Sequence, residues 1–226
     1  TLPYNSGAGT TCGMGNDLTP ANTATCGSTW YLDGEDRIWS FTPTTSGQVT
    51  IDLNAPSASY TGLMLYRDCP VTSACGTGSA TCIAYVQSSS GSKSMCVNVV
   101  AGANYYLILD SYPSPACNPY NNLSISAVSA GVPNDRPYQA QNLPLGIPVA
   151  GDNSCSGNTD EPAAPSCFQP GGSAMNTVWY AFTAPSSGCV RIRTNLGTLL
   201  NTQIAAYGPV AGTIAAGNGA TLPYIA

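Results

Sequence analysis

Short runs of apolar and polar residues that alternate along the first part of the chain predict β-strands. The alternation is clear in VNV and LSISAV, and other runs are rich in β-branched and aromatic residues. Turn clusters such as PTTSG and SSSGS separate these runs, and no stretch offers an amphipathic helix of three turns. The pattern is typical of antiparallel β-sandwiches. The main predicted strands are 47–53, 62–66, 93–100, 104–110 and 122–128.

The chain contains two related copies of this strand pattern. Residues 41–51 read FTPTTSGQVTI and residues 182–192 read FTAPSSGCVRI, with six of the eleven positions identical. The same offset, without a gap, also places Trp39 on Tyr180. Self-similarity at a fixed offset marks a repeated structural unit. We therefore predict an all-β fold of two tandem antiparallel β-sandwiches.

The predicted domains are a first repeat at 1–128, a polar linker rich in proline at 129–142 and a second repeat at 143–226. The last residue of the chain aligns with Tyr85, so the second repeat has no counterpart of 86–128. A sandwich without those strands has open edges and an uncovered core. We expect either that the chain continues beyond this sequence or that another chain completes the sheets.

The composition narrows the classes of partner. Charged residues make up 8% of the chain, against roughly 25% in an average soluble domain. The net charge is −5 and no basic run is present, which argues against nucleic acid and anionic membranes as partners. No apolar run approaches the roughly 18 residues of a membrane-spanning helix. The chain has no histidine, which removes the usual general base and the commonest metal ligand.

Ten cysteines without a CxxC pair favour disulfides in an oxidising compartment. The chain begins TLPYN, with no apolar leader, as expected of a mature exported protein. Spacing and repeat alignment predict three pairs: Cys12–Cys26, Cys155–Cys167 and Cys96–Cys117. One long loop carries a trio whose pairing stays open, namely Cys69, Cys75 and Cys82. The partner of Cys189 is expected past the last residue or on another chain.

Acidic residues cluster in the stretches GND and LDGED. Asn16, Asp17, Asp33 and Asp36 would offer the hard oxygen ligands that calcium takes. The alternative is that these side chains cap turns, with Asp36 held by a backbone amide or an arginine. Asp36 aligns with Thr177, which argues against calcium in the second repeat.

A glycosidase would use two of these carboxylates as its catalytic pair. Such carboxylates need to face each other across roughly 5–10 Å. Glu35 and Asp36 are adjacent and point to opposite faces of a strand, whereas Asp33 and Glu35 would share a turn. We therefore predict that the chain is not an enzyme.

Thirteen tyrosines and three tryptophans suggest carbohydrate binding. Aromatic residues in strand patterns, such as Trp39 and Tyr105, are predicted to pack in the core. Aromatic residues in turn-like segments are candidates for stacking on sugar rings: Trp30, Tyr31, Tyr60 and Tyr112.

The stretches GEDRIWSFTP, GLMLYRDCP, AGANYYLILD and CNPYNNLSIS resemble a recurring extracellular module of Bacteroidetes. The resemblance covers nearly all of 10–128 and, less closely, 143–215. The module is similar to the pre-peptidase C-terminal domain, a jelly-roll-like β-sandwich appended to secreted peptidases. Some members of that family bind calcium through an Asn-Asp pair before the first strand and acids before the second. Asn16, Asp17, Asp33 and Asp36 match those places.

The resemblance implies a tandem module of large secreted or surface-attached bacterial proteins, often exported by the type IX system. Our main hypothesis is a non-catalytic structural or adhesive repeat of a surface protein or extracellular filament. Its partners would be neighbouring repeats or identical subunits. The alternative is a carbohydrate-binding accessory module of a secreted enzyme, with extracellular glycans as ligands.

Overall fold

The chain divides into two compact units, Thr1–Ala130 and Gly131–Ala226. The boundary falls within the predicted linker at 129–142. A computed structural model describes residues 1–71, 80–112, 116–157, 160–163, 165, 176–185, 188–197, 202–212 and 214–225. No helix in this part of the chain is long and apolar enough to cross a membrane.

The first unit is an antiparallel β-sandwich. Its strands are β1 (Tyr4–Asn5), β2 (Gly9–Thr10), β3 (Arg37–Phe41), β4 (Gly47–Asn54), β5 (Ser59–Arg67), β6 (Thr81–Ser90), β7 (Lys93–Val99), β8 (Tyr105–Ser111), β9 (Pro119–Tyr120) and β10 (Asn122–Ile125). Sheet I has the order β1-β10-β4-β7, sheet II has the order β3-β8-β5-β6, and β2 pairs with β9. Every one of these pairings is antiparallel. The predicted all-β fold is confirmed.

The longest strand of the first unit, β6, is absent from the predicted strands. β6 (Thr81–Ser90) is an edge strand of sheet II, and all its residues are exposed or half-buried. A strand that buries neither face completely carries no clear alternation of apolar and polar residues. It ends in three serines, which resemble a turn cluster in the sequence.

The main core lies between the two sheets. In β4, Val49, Ile51 and Leu53 are at most 2% exposed, whereas the side chains between them face outward. Burial of one such side chain stabilises the fold by about 1.5–3 kcal/mol. Strands of both sheets supply further residues of this core: Phe41, Leu63, Leu65, Met95, Val97, Val99, Tyr105, Leu107, Leu109, Leu123 and Ile125.

A second core covers the outer face of sheet II. Met64 and Tyr66 of β5 and Ile108 of β8 point outward from the sandwich and are fully buried. The segment before β3 supplies the cover, with Leu18, Cys26 and Leu32 as its buried residues. The central strands of sheet II, β5 and β8, are therefore buried on both faces, which explains the continuous apolar run GLMLY in β5. We call residues 12–36 the cover segment.

Two disulfides cross the fold instead of closing local loops. Cys12 pairs with Cys117 and Cys26 pairs with Cys82, with Cα–Cα distances of 4.8 and 5.2 Å. The predicted pairs Cys12–Cys26 and Cys96–Cys117 are therefore wrong. The cover segment is stretched over sheet II, so Cys12 lies beside the β2–β9 pair, where the backbone amide of Thr11 donates to the Asn118 carbonyl at 3.0 Å. Cys26 lies in the second core.

Cys189 is free and exposed. Cys75 and Cys167 lie outside the described residues, so the predicted Cys155–Cys167 pair stays a prediction. Three further cysteines are disulfide-bonded: Cys69, Cys96 and Cys155.

The strands in the described part of the second unit are two residues long. β11 (Gln141–Asn142) and β12 (Tyr180–Ala181) pair in parallel, and an antiparallel bridge joins Tyr207 to Tyr224. β12 aligns with the middle of β3 in the first unit, as the repeat predicts. Its partner differs, because β11 comes from the predicted linker and not from a later strand of the repeat.

Candidate functional site

Four aromatic side chains singled out in turn-like segments come together in the first unit. The ring of Tyr112 lies at the centre of the group. Its centroid is 5.6 Å from that of Trp30, 6.0 Å from that of Tyr31 and 5.8 Å from that of Tyr60. The Trp30 and Tyr112 rings are stacked, and the Tyr31 ring meets Tyr112 edge-on. We call Trp30, Tyr31, Tyr60 and Tyr112 the aromatic cluster.

Trp30 and Tyr31 belong to a short 3₁₀ helix, Thr29–Leu32. Leu32 is 1% exposed and anchors this helix in the second core. Tyr31 packs over Gly62 of β5, where an added methyl group would lie 3.0 Å from the Tyr31 Cβ. With Leu32 and Tyr31 directed toward the sheet, Trp30 is left 58% exposed.

The start of this helix is fixed by strand β6. The Gln87 side chain accepts a hydrogen bond from the Ser28 amide at 2.8 Å and donates to the Ser28 carbonyl at 3.2 Å. The Cys26–Cys82 disulfide ties the same stretch to the same strand. Gly27 adopts a φ of +81°, and an added methyl group would lie 2.6 Å from Gln87 Oε1. The stretch before Trp30 is therefore held at both backbone and side-chain level.

Tyr60 has an unusual backbone conformation. Its φ is +52°, in the left-handed region, where a bulky non-glycine residue is an outlier. Such a conformation costs of order 1–3 kcal/mol and persists only where the surroundings fix it. The Tyr112 amide donates to the Tyr60 carbonyl at 3.0 Å, and the next residue, Thr61, is fully buried. The Tyr60 side chain remains 43% exposed.

The Tyr31 hydroxyl stays protonated at neutral pH. Burial, together with the neighbouring phenols of Tyr60 and Tyr112, raises the pKa of Tyr31 above its ordinary value. Neutral phenols both donate and accept hydrogen bonds. The cluster thus combines apolar ring faces with neutral polar edges.

A buried carboxyl group, missed by sequence reasoning, lies beneath the cluster. Asp110 of β8 is in register with Gly62 and is 1% exposed. Its Oδ1 accepts hydrogen bonds from the amides of Gly34 at 3.2 Å and Ser111 at 2.6 Å. Burial raises the pKa of Asp110 to about 8, and the charges of Asp36 and Asp33 act in the same direction. The only signal in the sequence is an acid at the end of the apolar run YYLILD.

Of the four residues predicted to bind calcium, Asp36 has a structural role as a turn cap. Asp36 Oδ2 accepts hydrogen bonds from the amides of Asp17 at 2.8 Å and Leu18 at 2.7 Å, so the carboxylate caps a turn. Asn16, Asp17 and Asp33 are exposed. Among the residues that the structure describes, no group of three or more His, Cys, Asp or Glu side chains could hold a metal ion. The calcium site stays a prediction.

The acids considered for a catalytic pair have different hydrogen-bond partners and different exposure. The Glu35 carboxylate accepts a hydrogen bond from the Gly13 amide. The Asp36 carboxylate is 8% exposed and accepts the two amides of the turn. Asp33 is exposed at the end of the 3₁₀ helix. Glu35 and Asp36 therefore support the local structure of the cover segment.

No family model and no curated protein matches the sequence. The resemblance to the pre-peptidase C-terminal domain therefore stays a prediction.

Solved structures similar to this chain include a CBM35 from Cellvibrio japonicus Abf62, at 14% identity and a TM-score of 0.28, covering 50% of this chain and 92% of that one. A Xyl-CBM35 in complex with a glucuronic acid-containing disaccharide has 15% identity and a TM-score of 0.30, with coverages of 57% and 95%. A carbohydrate-binding module from Cellvibrio mixtus lichenase 5A in complex with cellotriose has 11% identity and a TM-score of 0.29, with coverages of 56% and 91%. These scores are too low to carry an argument about this chain.

Proposed function

We propose that the first unit is a non-catalytic carbohydrate-binding module and that its ligand stacks on the aromatic cluster. The observation that supports this proposal is the meeting of four rings from three separate segments, with Trp30 58% and Tyr60 43% exposed. Apolar surface left open to water costs about 25 cal/mol per Å² relative to burial. A preformed aromatic patch with polar edges is typical of a binding site for a ligand of mixed polarity, such as a sugar.

A purely structural role fits only part of the cluster. Tyr31 packs on Gly62 and helps to close the second core. Trp30 contributes much less, because more than half of its surface faces water. Tyr60 adopts a strained backbone conformation and still leaves its ring accessible. Strain of this kind clusters at functional sites. Trp30 and Tyr60 are therefore the residues that we assign to ligand contact.

The cellular setting follows from the same chemistry. Disulfide bonds persist in oxidising compartments, so we place the protein outside the cell or on its surface. An adhesive repeat of a bacterial surface protein and an accessory module of a secreted enzyme would both use a glycan site. The aromatic cluster favours glycans over neighbouring subunits as the partner of the first unit.

The proposal is tested by affinity electrophoresis and calorimetry with a panel of soluble polysaccharides. We expect Trp30→Ala and Tyr60→Ala to weaken binding at least about tenfold, as truncation of an aromatic anchor does in other interfaces. Tyr224→Ala is the matched control. Tyr224 is an aromatic residue of similar exposure, 44%, and belongs to the second unit. Full binding by the Trp30 and Tyr60 variants would contradict the proposal.

A further inference from the structure

We infer that the aromatic cluster takes uncharged glycans and discriminates against glycans that carry carboxylate or sulfate groups. The inference names the ligand class of the site proposed above and rests on that proposal. The observations behind it are the positions of the charged side chains of the first unit.

Recognition of an anionic group normally uses an arginine fork or a lysine ammonium. The first unit contains three such side chains: Arg37, Arg67 and Lys93. Arg67 lies far from the cluster along β5, whereas Arg37 and Lys93 already donate hydrogen bonds to other groups of the protein.

Arg37 is engaged at the edge of the sandwich. Its guanidinium donates to the Tyr120 hydroxyl at 2.6 Å and lies over the Trp39 ring, 5.3 Å from the centroid. Tyr120 is 4% exposed and Trp39 packs against the main core. Arg37 therefore serves the region between the sheets, whereas the aromatic cluster lies on the outer face of sheet II.

Arg67 is at the far end of the strand that carries Tyr60. β5 runs from Ser59 to Arg67. At a rise of about 3.3 Å per residue, the Cα atoms of Tyr60 and Arg67 are about 23 Å apart along the strand. Arg67 also lies 3.9 Å from the Asp68 carboxylate. A sugar stacked on Tyr60 is out of its reach.

Lys93 is nearer in the fold but enclosed. It is 5% exposed, and its ammonium donates to the Ser90 carbonyl and, at 3.4 Å, to the Ser92 carbonyl. Burial lowers its pKa to about 8. The lysine thus satisfies the β6–β7 turn and presents no charge at the surface.

The charges beside the cluster are negative. Asp33 is exposed and follows the 3₁₀ helix directly, so it is the third residue after Trp30. The Asp33 charge also contributes to the raised pKa of the buried Asp110, which is in register with Gly62 beneath Tyr31. A carboxylate accepts hydrogen bonds from sugar hydroxyls but repels a second anion. Stacking rings next to an acceptor-only group suit a neutral, hydroxyl-rich ligand.

The experiment uses matched ligands on the full chain. Neutral gluco-, manno-, galacto- and xylo-oligosaccharides are screened by calorimetry, and each hexose-based binder is compared with its C6-oxidised, carboxylate-bearing form at low salt. We expect the oxidised form to bind about tenfold more weakly. The difference should shrink in 1 M salt, where the screening length is about 3 Å.

Asp33→Asn isolates the charge. It should strengthen binding of the oxidised ligand and change binding of the neutral ligand little. Asp52→Asn, an exposed acid on sheet I, should leave both affinities unchanged. Equal or tighter Trp30-dependent binding of the oxidised form would overturn the inference while the proposed function stands. Absence of binding to every oligosaccharide in the panel would overturn both.

Discussion

The carboxylate of Asp36 and the backbone amide of Leu18 form a buried hydrogen bond of 2.7 Å. The bond fixes the turn that begins the second core, because Leu18 is 5% exposed within that core. The same oxygen holds the Asp17 amide. One side chain thus determines how the cover segment enters the outer face of sheet II.

Asp36→Ala should therefore destabilise the protein. A buried amide left without its acceptor costs about 1–3 kcal/mol, so the free energy of unfolding should fall by that amount in chemical denaturation. Asp52→Ala removes an exposed acid of sheet I and is the control, with an expected change within about 0.5 kcal/mol. Equal stability of the two variants would show that the cap is not important.

Tyr60 offers a test of backbone strain. Glycine adopts a positive φ without penalty, whereas alanine retains a cost of about 1 kcal/mol. We expect Tyr60→Gly to be more stable than Tyr60→Ala by about that amount in denaturant titrations, because the observed φ is +52°. Both variants should lose glycan binding equally. The reverse order of stability would mean that residue 60 does not hold this conformation in solution.

Asp110 predicts a pH dependence of stability. Its pKa is about 8 in the folded protein and 3.8 as the ordinary value. Between about pH 4 and 8 the folded state therefore holds a proton that the unfolded state has released. The free energy of unfolding attributable to this group falls as the pH rises through that window and is level above it.

Asp110→Asn keeps an oxygen acceptor for the Gly34 and Ser111 amides and removes the titration. Its free energy of unfolding, measured from pH 4 to 9, should fall less steeply than that of the parent protein. Parallel curves for the two proteins would contradict the raised pKa.

The Cys26–Cys82 disulfide links stability to the site. The bond closes a loop of 56 residues, for which the chain-entropy relation gives about 4 kcal/mol. The double variant Cys26→Ala, Cys82→Ala should lose stability of that order and should bind glycans more weakly, because residues 26–28 position the 3₁₀ helix. Cys189→Ala, at a free and exposed cysteine, is the control and should change neither quantity.

Removal of calcium gives a further test. Because Asp36 already accepts two backbone amides, we expect EDTA to leave the melting temperature unchanged. A ligand that binds only the folded state raises that temperature, because at free concentration L it stabilises the fold by RT ln(1 + L/Kd). A fall with EDTA that added calcium reverses would support the metal site at Asn16, Asp17, Asp33 and Asp36.

The sequence predicts the strands of the sandwich better than what covers them. Alternation in GQVTIDL identifies β4, since Val49, Ile51 and Leu53 face one core. The cover segment has no such period, because Leu18 and Leu32 are its widely spaced anchors. Its path, and with it the disulfide pairing, depends on contacts with sheet II that lie far away in sequence.

The aromatic residues show the same division. Their turn-like settings identify Trp30, Tyr31, Tyr60 and Tyr112 as candidates one by one. Their meeting depends on the register of β5 with β8, where Thr61 pairs with Ser111. That register is a long-range property of the fold. The burial of Asp110 could not be predicted from the sequence for a related reason, because the cover segment creates it.

The burial of β5 and β8 on both faces has a consequence for the local stability of the protein. The cover segment contributes only a few large apolar residues, whereas the sandwich between the sheets is a larger cooperative unit. Amide hydrogens of the cover should exchange with solvent through a partial opening that leaves the sandwich intact, at a lower free energy than global unfolding. Trp30 and Tyr31 would move apart from Tyr60 and Tyr112 in that opening. On warming, a ligand bound at the aromatic cluster, as proposed above, would then be released before the sandwich melts.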